Sequence, residues 1–193
     1  MEEEKMTTVA EEKKRVRKLL KEIRNDMDAA YKEDASAKIA AECISSGEYK
    51  NADSIFIYLS MDGEPDTGEI VRQALADGKK VYVPRCLGHG IMEAVRLHSV
   101  DEVETVPPYG IKEPKKEIPA TDPTEFDADN TVAFVPCVGA ARDGRRLGHG
   151  AGYYDRFLEG RKMKRLMLAY GRLILEDIPC DRYDLKMDRV ITE

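Results

Sequence analysis

Residues 144–156 read Gly-Arg-Arg-Leu-Gly-His-Gly-Ala-Gly-Tyr-Tyr-Asp-Arg, which sets four glycines, three arginines, two adjacent tyrosines and an aspartate in one short stretch. Glycine at 144, 148, 150 and 152 lets the backbone curl and lets bulky groups approach its N–H donors. Arg145, Arg146 and Arg156, with Arg142 just upstream, add fixed positive charge to those donors. Such a combination binds anions, and phosphate is the usual guest. It is not a Walker loop, because the stretch lacks the lysine and hydroxyl residue of G-x-x-x-x-G-K-[ST].

A loop of this kind has to be held by regular elements. Residues 132–136, Val-Ala-Phe-Val-Pro, are an apolar run of strand type, and residues 153–159 have the spacing of a helix that buries Tyr154, Phe157 and Leu158. The loop is therefore expected at a strand-to-helix crossing, where N–H groups and the positive end of a helix dipole converge on an anion. A second basic group lies far away in the chain. Residues 9–31 carry Val16, Leu19, Leu20, Ile23, Met27 and Ala30 at three-and-four spacing, which predicts one amphipathic helix with Thr8 and Glu11 as its capping box. Lys13, Arg17, Lys21 and Arg24 align along one side of it. By itself that stripe reads as a solvated basic face balanced by Glu11, Glu12 and Glu22.

A second helix is predicted from Asp34 until Gly47 ends it. Residues 53–60 are a β-branched and aromatic run of strand length. A polar turn over 61–66, a helical stretch over 67–76 closed by Gly78, and a strand over 80–84 complete a βαβ unit. Residues 92–99 alternate like a half-exposed antiparallel strand carrying His98, after a turn that holds His89, and residues 107–129 are loop by composition. Further strands are predicted at 165–170 and 189–192. The expected fold is α/β: a single three-layer αβα domain with a mainly parallel central sheet.

The whole chain sets limits on function. At 193 residues, with no Pro/Gly/Ser-rich linker, it is one domain. The 37 acidic side chains outnumber the 31 basic ones for a net charge of −6, so bulk attraction to nucleic acid or an anionic membrane is not expected, and any anion must be held by local charge. Cys43, Cys86, Cys137 and Cys180 are widely spaced, with no C-x-x-C pair and only 3 histidines in the chain, which fits reduced thiols rather than a zinc site or disulfide framework. The amino terminus lacks an apolar h-region, and no run approaches the roughly 18 apolar residues of a membrane helix. A cytoplasmic chain is expected.

In this order the elements and motifs resemble the 5-formyltetrahydrofolate cyclo-ligase family, also called 5,10-methenyltetrahydrofolate synthetases, over nearly the whole chain. The strongest element is the family pattern G-x-R-L/I-G-x-G-x-G-Y-Y-D, met from Gly144 to Asp155. Supporting pieces are Lys13 and Arg17, Leu59-Ser-Met with Glu64, Val83-Pro-Arg85, Gly110-Ile-Lys-Glu-Pro114 and Asp188-Arg-Val-Ile-Thr192. The resemblance implies an ATP- and magnesium-dependent ring closure on a small folate, 5-formyltetrahydrofolate, by a monomer. It implies ATP contacts from Lys13, Lys14, Arg15, Val16 and Arg17, and from Arg146, Leu147, Gly148, His149, Gly150, Ala151, Gly152, Tyr153 and Tyr154. Folate contacts fall to Leu59, Glu64, His149, Gly150, Ala151, Gly152 and Tyr153, catalytic roles to Arg146 and Tyr153, and magnesium to Asp155 and Asp188.

Four positions depart from the family's common pattern: His149 stands where arginine or tyrosine is frequent, Ala151 where lysine or glycine is, and Ala140 and Ala141 where many members carry Phe-Asp. His149 and Ala151 leave the loop with less fixed charge, and Ala140 and Ala141 remove an aromatic side chain and an acid. They also keep open an alternative, a nucleotide- or folate-binding protein of the same fold without turnover.

Overall fold

The computed structural model describes residues 8–107 and 111–193. Gly110 of the Gly110–Pro114 motif, and the amino-terminal residues before Thr8, lie outside the described residues. Helix α1 (Val9–Asn25) opens at Thr8 with the expected capping box: Thr8 Oγ1 accepts from Glu11 N, and Glu11 Oε2 accepts from Thr8 N at 2.8 Å. The helix does not run on to residue 31. Asp28 adopts extended backbone and accepts from Tyr31 N at 2.7 Å, capping a new helix, α2 (Ala29–Ser45). Its side chain competes for backbone donors, a signal that the continuous apolar spacing hid. Gly47, expected to end a helix, instead opens the short α3 (Gly47–Asn51) behind a Ser46 cap.

The remaining elements are β1 (Ser54–Ile57), α4 (Gly68–Ala76), β2 (Lys80–Gly88), β3 (Ile91–Leu97), β4 (Val103–Val106), β5 (Ile111–Pro114), β6 (Thr131–Pro136), β7 (Gly139–Ala141), β8 (Arg146–Leu147), α5 (Tyr153–Leu158), β9 (Lys164–Leu168), β10 (Ile174–Leu175) and β11 (Arg189–Ile191). The central sheet has six strands in the order β11-β9-β6-β1-β2-β3. All neighbours pair in parallel except β2 and β3, the expected antiparallel edge. Residues 111–114, read as loop, pair with β4 in a separate hairpin.

Alternation along the strands sends side chains to the two faces. Ile55, Ile57, Val81, Val83, Phe134 and Leu168 face a core shared with α1, α2 and α4. Phe56, Tyr82, Ala133, Val135 and Met167 face a second core with Phe126, Phe157 and Leu158, the last two from α5. These are the two interfaces of the expected three-layer αβα domain. No helix among the described residues is long and apolar enough to cross a membrane.

One local detail positions the site. The glycine loop does not follow β6 directly, because β7 and β8 intervene as a hairpin in a small sheet with β10. That hairpin turns the chain back so that Arg146 lies on β8, in hydrogen-bond reach of the Pro136 carbonyl at the end of β6.

Candidate active site

A cavity of about 860 Å³ opens at the carboxyl ends of β1 and β6. Its volume lies within the roughly 300–1,000 Å³ of ligand pockets, and its place is where α/β sheets put their ligands. Lys13 and Arg17 from α1, Leu59 and Glu64 from the segment after β1, and Arg146 with residues 148–155 of the glycine loop all line it. The basic stripe on α1 is thus divided: Lys13 and Arg17 turn into the cavity, whereas Lys21 is exposed and Arg24 packs against Gly63.

The glycine loop is fixed from both sides. Arg17 Nε donates to Gly148 O at 2.8 Å, tying α1 to the loop. Arg146 is buried at 5% exposure; one Nη donates to Pro136 O at 3.3 Å and the other to Asp155 Oδ2 at 2.7 Å. Its guanidinium also lies over the Tyr154 ring, 5.8 Å from the centroid. Arg146 Nε, buried as well, has no partner. Among the described residues no acceptor takes the backbone N–H groups of Gly150, Ala151 and Gly152. Free backbone donors beside a buried cation are a combination that can hold an anion.

The folate-side residues also converge. Glu64 is buried at 6% exposure; its Oε2 accepts from Met61 N at 3.0 Å, and its Oε1 stands 3.4 Å from His149 Nε2. The Tyr170 hydroxyl donates to the Glu64 carbonyl at 2.9 Å, which fixes the backbone beneath it. Tyr153 and Tyr154 both line the cavity. Burial, and then the Glu64 charge, push the Tyr154 phenol well above its ordinary range, so it stays neutral.

An acidic segment that sequence reading missed completes the wall. Lys13, 8% exposed, donates to Asp181 Oδ2 at 2.7 Å and to Asp184 Oδ2. Leu185 N donates to Asp155 Oδ1 at 3.1 Å, so the segment is also moored to the glycine loop. Burial opposes the Lys13 charge, but its two aspartate partners outweigh that and raise its pKa. The Lys13 hydrogen bond, helped by Tyr183 N, lowers that of Asp181. A depressed carboxylate adds stability above its ordinary pKa that is lost as pH falls through the lowered folded value, and a raised lysine adds stability lost only as pH rises through its folded value. Lys13→Met should therefore lower the melting temperature at pH 7. The gap to the unaltered protein should close on acidification below the ordinary aspartate value of 3.8, which calorimetry at several pH values measures.

Some expected residues lie elsewhere. Lys14 and Arg15 are on the exposed side of α1, and among the described residues Arg15 pairs only with Glu12. Val16 and Leu147 pack in the core. None of the four lines the cavity: a run of five helical residues must face every direction, and Leu147 on β8 turns its side chain into the core. Asp188 is also outside: its Oδ2 accepts from Arg165 N at 2.7 Å and pairs with that side chain, stitching the start of β11 to β9. Asp181, Asp184 and Glu159 line the cavity as well as Asp155, and Asp184 precedes Leu185, whose N–H is bound to Asp155. No cluster of three metal-ligating side chains occurs among the described residues. Two carboxylates fit a magnesium ion that arrives on phosphate oxygens, not a site made by protein alone. Ala140 and Ala141 are buried in β7 and do not touch the cavity, so two of the four departures from the family pattern are core substitutions.

Known proteins are similar to this chain in sequence and fold. The sequence profile of the 5-formyltetrahydrofolate cyclo-ligase family matches residues 9–193. The mouse 5-formyltetrahydrofolate cyclo-ligase is 30% identical over 195 residues, 96% of each chain, and that of Haemophilus influenzae is 26% identical, covering 92% of this chain and 95% of its own. The solution structure of Aquifex aeolicus 5,10-methenyltetrahydrofolate synthetase superposes with a TM-score of 0.78 at 28% identity, over 93% of this chain and 88% of that one. A Mycoplasma pneumoniae 5,10-methenyltetrahydrofolate synthetase, 20% identical with a TM-score of 0.73, shares the fold over 93% of this chain and 98% of its own. The chain belongs to the 5-formyltetrahydrofolate cyclo-ligase family.

Proposed function

We propose that this chain is a ligase that converts 5-formyltetrahydrofolate and ATP into 5,10-methenyltetrahydrofolate, ADP and phosphate. The observation that carries the reading is the convergence of Lys13, Arg17, Arg146, residues 148–154, Leu59 and Glu64 on one cavity. The formyl oxygen is a poor leaving group. Its attack on the γ-phosphorus breaks the bond to the β-phosphate oxygen and releases ADP. N10 then bonds to the activated carbon, and phosphate leaves with the oxygen and the N10 proton. The protein's part is to orient two bound substrates and to offset charge on the phosphoryl oxygens.

In this reading Lys13, Arg17 and Arg146 face the phosphates, with the N–H groups of residues 150–152. Glu64 accepts from pterin N–H groups, and Tyr153 stacks on or hydrogen-bonds to the folate. Magnesium enters with ATP as part of the substrate, and Asp155 and Asp184 are the carboxylates offered to it; the ion supplies charge neutralisation of the phosphates. The enzyme works as a cytoplasmic monomer, on folate with or without a polyglutamate tail.

The test is direct. Purified protein given 5-formyltetrahydrofolate should develop the near-ultraviolet absorbance of the methenyl product only when ATP and magnesium are both present. No product above background, together with tight calorimetric binding of either substrate, would favour the non-catalytic alternative.

A further inference from the structure

Arg156 lies on α5 at the rim of the cavity and belongs to none of the contacts described above. Its Nε donates to Gly90 O at 3.1 Å, and one Nη donates to Ala151 O. Gly90 is the turn residue before β3, and Ala151 is in the glycine loop, so one guanidinium joins two turns that no backbone hydrogen bond connects among the described residues. Both turns carry a glycine where the planar group passes. A β-carbon on Gly90 would fall on the guanidinium, and one on Gly152 would stand 2.8 Å from Arg156 Nη1. The two glycines have φ of +77° and +68°, so each position disfavours a side chain on backbone grounds as well.

We propose that Arg156 is a positioning residue, a strap that holds the glycine loop against the β2–β3 turn and so sets the direction of the loop's phosphate donors. The Ala151 carbonyl and the Gly152 N–H belong to one planar peptide unit, and holding the oxygen fixes the donor on the opposite edge. Gly152 lines the cavity. A loop already held in this way loses less freedom when a triphosphate binds. The kinetic consequence rests on the ligase reading; the strap itself does not.

The experiment uses the full chain labelled with ¹⁵N and the variants Arg156→Ala, Arg156→Lys and Gly90→Ala. In the ligand-free protein the Arg156 Nε–H should exchange slowly. Arg156→Ala and Gly90→Ala should each shift the amide resonances of Gly150, Ala151 and Gly152 while those of β1, β6 and β9 stay in place. Unmoved loop amides in Arg156→Ala overturn the strap, whether or not the protein turns over folate. In kinetics each variant should raise the KM for ATP about tenfold, with smaller changes in kcat and in the KM for 5-formyltetrahydrofolate. Arg156→Lys should restore only part of the loss, because an ammonium lacks the fork that spans two carbonyls. The double variant Arg156→Ala/Gly90→Ala should be no worse than either single one, since both remove the same strap. Additive losses would mean that Arg156 meets phosphate directly, and would also overturn the proposal. Shifted loop amides in a protein that makes no methenyl product would support the strap and count against the ligase.

Discussion

Arg146→Ala should lose turnover and stability together. The side chain is 5% exposed, and removing it takes the charged donor from Asp155 Oδ2 and from the Pro136 carbonyl, leaving Asp155 only the Leu185 N–H among the described residues. Breaking a buried charge pair from one side costs about 3–5 kcal/mol, so the melting temperature should fall markedly. Loss of one preorganised cation at a reacting phosphoryl group should also lower kcat by about 10²–10³-fold. The two effects separate in Arg146→Lys. Lysine keeps the charge opposite Asp155 and should recover much of the stability, but its single ammonium cannot also reach Pro136 in the planar geometry, so turnover should stay low. Thermal unfolding and initial rates on both variants read this directly. An alanine variant with unaltered melting and rate would remove Arg146 from the site.

The second large effect concerns the acids. Asp155→Asn and Asp184→Asn should each lower kcat/KM about 100-fold at fixed magnesium and raise the magnesium concentration needed for half-maximal rate. Asp188→Asn should change neither by more than about twofold, because its carboxylate is engaged with Arg165 away from the cavity. Magnesium titrations of the three variants at saturating ATP compare them. The assignment fails if Asp188→Asn shows the loss and Asp184→Asn does not.

The contrast between these two aspartates shows what one sequence can and cannot reveal. The glycine loop was legible because its residue types leave little else for it to be, and β1, α4 and β2 were legible because their hydrophobic periods differ. The edge strand β3 betrayed itself by alternation. Asp181 and Asp184 were not legible. They sit in a polar segment without periodicity, and only the chain's return past α1 brings them to Lys13, 168 and 171 residues away. Asp188 entered as a ligand only through the family resemblance, since by itself it is an ordinary acid before a strand, and in the fold its carboxylate is engaged with Arg165. Similarly, the break between α1 and α2 depends on one Asp28 hydrogen bond, against an apolar spacing that runs through it unbroken.

The same contrast applies to His149 and Ala151 on one side and Ala140 and Ala141 on the other. As letters, all four are departures from a pattern. In the fold only the first two line the cavity, and His149 comes within 3.4 Å of Glu64. Neither removes Lys13, Arg17 or Arg146, the three cations that the triphosphate reading needs.

If one cavity holds triphosphate and folate together, the formyl oxygen itself is phosphorylated and expelled. Substrate labelled with ¹⁸O in the formyl group, turned over with unlabelled ATP in ordinary water, tests it by mass spectrometry of the phosphate released. The label should be found in the inorganic phosphate. Label appearing in water, with unlabelled phosphate, would contradict it.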